Sequence, residues 1–200
     1  MGRLTLPDWV VPLAAAPVLK YGSESATPAA GIVKICVVSD SHDRADPLLA
    51  AVQAAQRDGA QCVVHCGDVI GIHTLRPLLA LGIPVHAVHG NNVGDPVALA
   101  RMASASAGRL VYHGADAELS LGGRRIFVTH FPHYARGLAC TGDFDLVCCG
   151  HSHAASVVQQ ANIQGGHTWL IDPGTVAGVG APASWILADL ETMQFELRTP

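Results

Sequence analysis

Charge is scarce in this chain. Only 14% of its 200 residues are Asp, Glu, Lys or Arg, the net charge is −4, and no Lys/Arg cluster occurs. That argues against a polynucleotide-binding protein whose affinity comes from neutralising many phosphates. Aromatic residues make up 5%, whereas half of the chain is hydrophobic, so the core is expected to be Val, Leu, Ile and Ala in regular α/β layers. Long apolar runs are missing too. The best candidate, Trp9 to Leu19, is broken by Pro12 and Pro17 and falls short of the ~20 residues a bilayer span needs. With Arg3 as its only basic flank and Asp8 at its start, it also makes a poor secretory signal. The cysteines, Cys36, Cys62, Cys66, Cys140, Cys148 and Cys149, contain no CxxC pair and sit mostly in apolar runs. Buried reduced thiols in a cytoplasmic protein are expected, with neither disulfides nor a cysteine-ligated zinc.

Residues 1–31 stand apart, punctuated by Pro7, Pro12, Pro17 and Pro28, and read as an extension and linker. Residues 32–200 read as one domain. Its first half alternates short apolar runs with helical spacing: strands at Val33 to Val38, Cys62 to His65 and Val85 to His89, and helices at Asp46 to Arg57, His73 to Leu81 and Pro96 to Ser106. Such alternation predicts βαβ units on a parallel sheet. In the second half, Gly122-Gly123 between Glu118 to Leu121 and Arg125 to Thr129 marks a hairpin. The later runs Ser156 to Gln160, Thr168 to Ile171, Trp185 to Asp189 and Gln194 to Arg198 are separated by turns, and antiparallel pairing is expected to dominate there. About ten strands crowd a single sheet, so two sheets packed face to face with helices outside is the predicted α/β architecture.

Chemistry is concentrated where apolar runs end. Ile35 to Val38 exits into Ser39-Asp40-Ser41-His42, Cys62 to His65 into Cys66-Gly67-Asp68, and Val85 to His89 into Gly90-Asn91-Asn92. Ile126 to Val128 exits into Thr129-His130, and Leu146 to Cys149 into Gly150-His151-Ser152-His153. Oxygen and nitrogen donors gathered at strand ends suit a metal site at the rim of a sheet. Asp40 and His42, one residue apart, can reach one ion; a carboxylate such as Asp68 can bridge two; Asn91, His130 and His151 can complete a second.

These ordered motifs, Asp40-x-His42, Gly67-Asp68, Gly90-Asn91, His130 and Gly150-His151-x-His153, resemble the calcineurin-like metallophosphoesterases, in particular their small bacterial and archaeal phosphodiesterase branch. The likeness runs from Ile32 to the C-terminus. It implies a four-layer α/β/β/α sandwich with two mixed sheets inside. It implies Asp40, His42, Asp68 and His153 on one metal, and Asp68, Asn91, His130 and His151 on the other. Asp68, Asn91 and His130 are then catalytic. Mixed nitrogen and carboxylate donors suit manganese foremost, with iron, zinc or nickel as alternatives. The implied activity is hydrolysis of small phosphate esters, diesters before monoesters, by in-line attack of a metal-bridging hydroxide. The competing reading is a catalytically weak metal-binding scaffold or interaction protein that keeps the fold.

Departures from the family pattern carry their own expectations. Relatives often place His after the metal-binding Asn, whereas this chain has Asn92, an amide that is no proton donor at neutral pH. The acidic residue that usually follows is displaced to Asp95. Thr129-His130-Phe131-Pro132-His133 replaces Thr-His-Gly-His, so Asn92 and His133 become the candidate substrate contacts, with Tyr134 and Arg136 behind them. Asp172-Pro173-Gly174-Thr175 reads as a turn first. His65, His86, His89, His113 and His167 are expected to be ordinary core or surface histidines; His73, just after Gly71, could line the cleft. The motifs leave the physiological substrate and a homo-oligomer open.

Overall fold

Burial follows the predicted periodicities closely. The computed structural model describes residue 31 and residues 33–200; the extension expected over residues 1–31 lies outside these apart from Gly31. A six-stranded sheet carries β1 (Lys34–Val38), β2 (Cys62–His65), β3 (Val85–Ala87) and β4 (Leu110–Tyr112) in parallel, followed at one edge by antiparallel β10 (Trp185–Asp189) and β11 (Gln194–Arg198). A five-stranded sheet takes the order β5 (Asp116–Leu121), β6 (Arg124–Thr129), β7 (Leu146–Cys148), β9 (His167–Asp172) and β8 (Ser156–Ala161).

Helix α1 (Ala45–Arg57) shows why the layers form. Leu48, Ala51, Val52 and Ala55 recur on one face and are buried, while Asp46 in the first turn and Arg57 in the last complement the helix dipole. With α2 (Ile72–Ala80) and α3 (Pro96–Ala105), it covers one face of the six-stranded sheet, against Cys36, Val38, Val63 and Val85. Alternate residues of the same strands, Ile35, Val37, Cys62 and Val64, face the other way and meet Leu119, Ile126, Leu146 and Ile171 of the second sheet. Beyond it, α4 (Pro132–Ala139) packs Ala135 and Ala139 on Phe127, Val147 and Leu170. The order is helices, sheet, sheet, helix, which is the expected four-layer sandwich. Each fully buried Leu or Ile side chain contributes about 1.5–3 kcal/mol to holding it.

Gly122 and Gly123 adopt φ of 57° and 75°, as a type I′ hairpin turn requires between paired Leu121 and Arg124. Two features differ from expectation. Strand β4, too short to give a clear periodic signal, adds a fourth parallel strand. The middle of the second sheet is parallel, β6 to β7 to β9, because α4 carries the chain back over the sheet so that β7 runs in the same direction as β6. Antiparallel pairing is confined there to β5–β6 and β8–β9. The consequence matters for function. The carboxyl ends of β1, β2 and β3 share one rim, and those of β6 and β7 share another.

Candidate metal centre

Strained backbone is concentrated at the two rims. Asp40, His42, Asp68, His151 and His153 all have positive φ, between 43° and 69°. Non-glycine residues pay for that conformation, and they hold it where the surrounding structure imposes it. Here the imposition is visible. The backbone N–H groups of Asp40 and His42 donate to the carbonyls of Gly67 and Asp68 at 3.0 Å each, tying the loop after β1 to the loop after β2. Glycine is required where the two rims meet: a Cβ on Gly67 would collide with the His130 imidazole, and one on Gly90 with the Asp68 carboxylate and the same ring.

The side chains converge with acceptors facing acceptors. His153 Nδ1 lies 2.6 Å from the Val179 carbonyl and His130 Nδ1 2.8 Å from the Cys66 carbonyl, so each Nδ1 carries the hydrogen and donates it. Each Nε2 then presents a bare lone pair when the ring is neutral. The His153 lone pair faces His42 Nε2 and Asp40 Oδ1, both at 3.1 Å. The His130 lone pair faces Asn91 Oδ1 at 3.1 Å and Asp68 Oδ1 at 3.4 Å. Asp68 turns its other oxygen, Oδ2, toward His42 Nε2 at 3.8 Å. Asp40 and Asp68 are 0% and 2% exposed, and among the described residues their only cationic-type partners within 4.0 Å are histidines. Asp40 Oδ2 accepts from the His151 backbone N–H at 2.9 Å, but Oδ1 is buried without a donor.

Buried carboxylates with no Lys or Arg, an orphaned carboxylate oxygen and imidazole lone pairs aimed into one space fit a cation. In each of two groups of potential ligands, Asp40 with His42 and His153, and Asp40 with Asp68 and His130, the ligand atoms all lie within 4.8 Å of one another. Of the remaining sequence-predicted ligands, Asn91 touches the second group through His130. The His151 ring stands at the exposed mouth, 5.1 Å from the His130 ring between centroids and outside both tight groups.

The two candidate substrate contacts are placed differently. Asn92 donates its backbone N–H to Asp68 Oδ1 at 2.9 Å and its amide to Oδ2 at 2.5 Å, so its donors are directed at the carboxylate. His133 is exposed on the first turn of α4, against Tyr134. Asp95 is the N-cap of α3, accepting from Ala98 N–H at 2.9 Å. Asp172 accepts from Gly174 N–H within its turn and from Ser152 Oγ at 2.6 Å, which anchors the loop that carries His151 and His153; burial raises its pKa against these bonds.

Sequence reasoning missed His65 as a part of this site. Its Nδ1 accepts from Gly67 N–H and its Nε2 therefore donates to Ser41 Oγ at 3.0 Å, joining the loops of Asp40 and Asp68 from below. Burial pushes its pKa down to about 3 from the ordinary 6.5, helped by the nearby His130, so it is a neutral strut. Thr175 was also missed in this role: its hydroxyl donates to the Asp40 carbonyl at 3.0 Å. No local pattern could have flagged either residue, since the partners that tie them to the site, Ser41 and Asp40, are distant in the chain.

A two-sheet sandwich with Asp, Asn and His side chains at adjoining strand-end rims defines the metallophosphoesterase class. The calcineurin-like phosphoesterase superfamily domain matches residues 33–193, and the chain belongs to that superfamily. A phosphodiesterase of Methanocaldococcus jannaschii is 24% identical over 168 residues, 82% of this chain and 96% of that protein. An archaeal phosphodiesterase of known structure superposes with a TM-score of 0.75 at 20% identity, covering 84% of this chain and 99% of that one. A phosphoesterase from E. coli gives 0.55 at 20% identity, with 83% and 98% covered. Vps29 from Entamoeba histolytica, in complex with zinc, gives 0.53 at 17%, with 82% and 89% covered. The structural likenesses show a shared fold.

Proposed function

We propose that this protein is a dinuclear metal-dependent phosphodiesterase acting on small phosphate esters. The observation that carries the reading is the Asp68 carboxylate, one oxygen directed at His42 and the other at His130, between two sets of potential ligand atoms. Asp40, His42, Asp68 and His153 would hold one cation, and Asp68, Asn91, His130 and His151 the other. Divalent cations held there supply Lewis acidity toward the phosphoryl oxygens and a hydroxide nucleophile at neutral pH for in-line displacement. Nitrogen and carboxylate donors together favour manganese, with iron, zinc or nickel also accommodated.

The residues of the chain do the rest. Asn92 steadies the Asp68 carboxylate by two hydrogen bonds, and the carbonyls of Cys66 and Val179 hold His130 and His153 in one tautomer. No side chain that donates a proton at neutral pH occupies the position after Asn91, so esters with good leaving groups are favoured, with His133 the nearest candidate donor from α4. The unpaired thiols, buried except for half-buried Cys140, suit a reducing cytoplasm, and no helix among the described residues is long and apolar enough to cross a membrane. Residues 32–200 would act as the catalytic unit, with residues 1–31 as its extension.

The deciding experiment is metal analysis of the purified protein beside rates on bis(p-nitrophenyl) phosphate and p-nitrophenyl phosphate in manganese. We expect about two ions per chain and faster diester cleavage. Stoichiometric metal without turnover of either ester would favour the scaffold reading instead.

A further inference from the structure

The segment that follows His130, Phe131 and the first turn of α4, holds aromatic rings that metal binding does not use. Phe131 lies edge-on to His130 and to His151, with centroids 5.2 and 5.3 Å away. Tyr134 meets Phe131 edge-on at 5.7 Å and lies tilted by 51° against His133 at 4.1 Å. A continuous file of rings therefore runs outward from the candidate metal ligands, through Phe131, to Tyr134. Aromatic side chains are scarce in this chain, and among the described residues Tyr134 is the only aromatic counted with the exposed large hydrophobics, at 58%. An exposed ring beside a catalytic rim forgoes burial that the core would have rewarded, and its open face is a stacking surface.

From this file we infer that Phe131, His133 and Tyr134 form a ring subsite, and that the substrate is a small phosphodiester bearing a flat aromatic group, aryl or nucleobase, on one ester arm. The inference rests on the phosphodiesterase reading of the neighbouring metal centre. Stacking suits it because any flat ring offers a π face, whatever its hydrogen-bonding edge. The phosphate would sit at the paired metal ligands, and the ring, one sugar or one ester bond away, would lie along Phe131 toward Tyr134. A polymer is disfavoured, since the file offers two or three rings with no basic track leading from it, and the chain as a whole carries −4.

The test compares three diesters on the manganese-loaded full chain: bis(p-nitrophenyl) phosphate, a nucleoside 2′,3′-cyclic phosphate and the ring-free glycerophosphocholine. Tyr134→Ala should lower kcat/KM for the ring-bearing esters relative to glycerophosphocholine by about tenfold, the ratio that ~1.4 kcal/mol of stacking gives. The loss should appear mainly in KM, and Tyr134→Phe should restore it. Loss on the aryl ester alone, or on the nucleoside ester alone, identifies the natural arm. Because the side chain is largely exposed, thermal melting should be unchanged. A second arm measures equilibrium binding of adenosine 5′-monophosphate, independent of turnover, with a severalfold weaker Kd for Tyr134→Ala. A relative rate and a Kd that both stay within twofold of the parent would overturn the ring subsite while leaving the phosphodiesterase reading intact. Absence of any diester hydrolysis would overturn that reading, and the binding arm would then decide the subsite alone.

Discussion

The two rims that meet at the candidate metal centre are built differently. The six-stranded sheet contributes the carboxylates, Asp40 and Asp68, with His42 and Asn91 beside them; the five-stranded sheet contributes imidazoles, His130, His151 and His153. On the first rim the backbone is locked within its own sheet, loop to loop, by Asp40 and His42 N–H bonds to Gly67 and Asp68 carbonyls and by the His65 strut beneath. The second rim is anchored to its opposite. His130 donates to the Cys66 carbonyl, and the His151 N–H donates to Asp40 Oδ2. The carboxylates are thus placed on a rigid loop pair, and the imidazole-bearing rim is tied by hydrogen bonds that reach across to it. Each group of potential ligands draws residues from both rims, so packing one sheet against the other brings them together.

The sharpest way to break this comparison is to remove the charge shared between the rims. Asp68→Asn should lower the rate on bis(p-nitrophenyl) phosphate by ~10³-fold or more, as expected when a metal-bridging carboxylate is neutralised. A variant with parental turnover and metal content would show that the rims do not share an ion through Asp68. Next in size is Gly90→Ala, whose added methyl would strike both the Asp68 carboxylate and the His130 ring. A loss of about 2–3 kcal/mol in denaturant unfolding is expected, comparable to overpacking a tight core; a change under ~0.5 kcal/mol would mean the rims can part freely.

Ligand linkage tests the carboxylate rim. Manganese at one hundred times its Kd should stabilise the parent by about 2.7 kcal/mol, and a chelator should abolish the gain. Asp40→Asn should lose that gain yet unfold no more easily than the parent without metal, because Asp40 Oδ1 is buried without a donor and an amide there can donate to His153 Nε2. Equal manganese stabilisation in parent and variant would remove Asp40 from the metal centre.

The last effect, spread over a pH range, belongs to the strut. His65 is neutral in the fold with a pKa of about 3, whereas the unfolded side chain titrates near 6.5. Its contribution is therefore fully present above pH 6.5 and is lost as pH falls from there toward 3, because the unfolded chain takes up the proton first. The slope should approach ~1.4 kcal/mol per pH unit. His65→Gln should flatten that part of the stability profile measured between pH 6.5 and 4.5, and an unaltered slope would show that this histidine does not titrate on unfolding.

Much of the fold could be read from residue order. The period of α1, the exits after β1, β2, β3, β6 and β7, and the Gly122-Gly123 turn lie where local pattern placed them, because burial and turn chemistry act over a few residues. Strand β4 could not be read this way: its three residues form a strand because β3 offers a free parallel edge. The same holds for the parallel centre of the second sheet, which depends on where α4 returns the chain.

The candidate ligands were visible one by one, since Asp, Asn and His are donor types wherever they stand. Asn92 was legible only as a missing histidine, and the two hydrogen bonds it makes to Asp68 came from the fold. Ligand identity and exit position are local properties, written in neighbouring residues. Which lone pairs meet, and which carboxylate oxygen is left bare, depends on partners such as Asp40 and His151, 111 residues apart, that share a space only once both sheets have buried their inner faces. Packing sets those distances, and no short stretch of chain contains both ends of them.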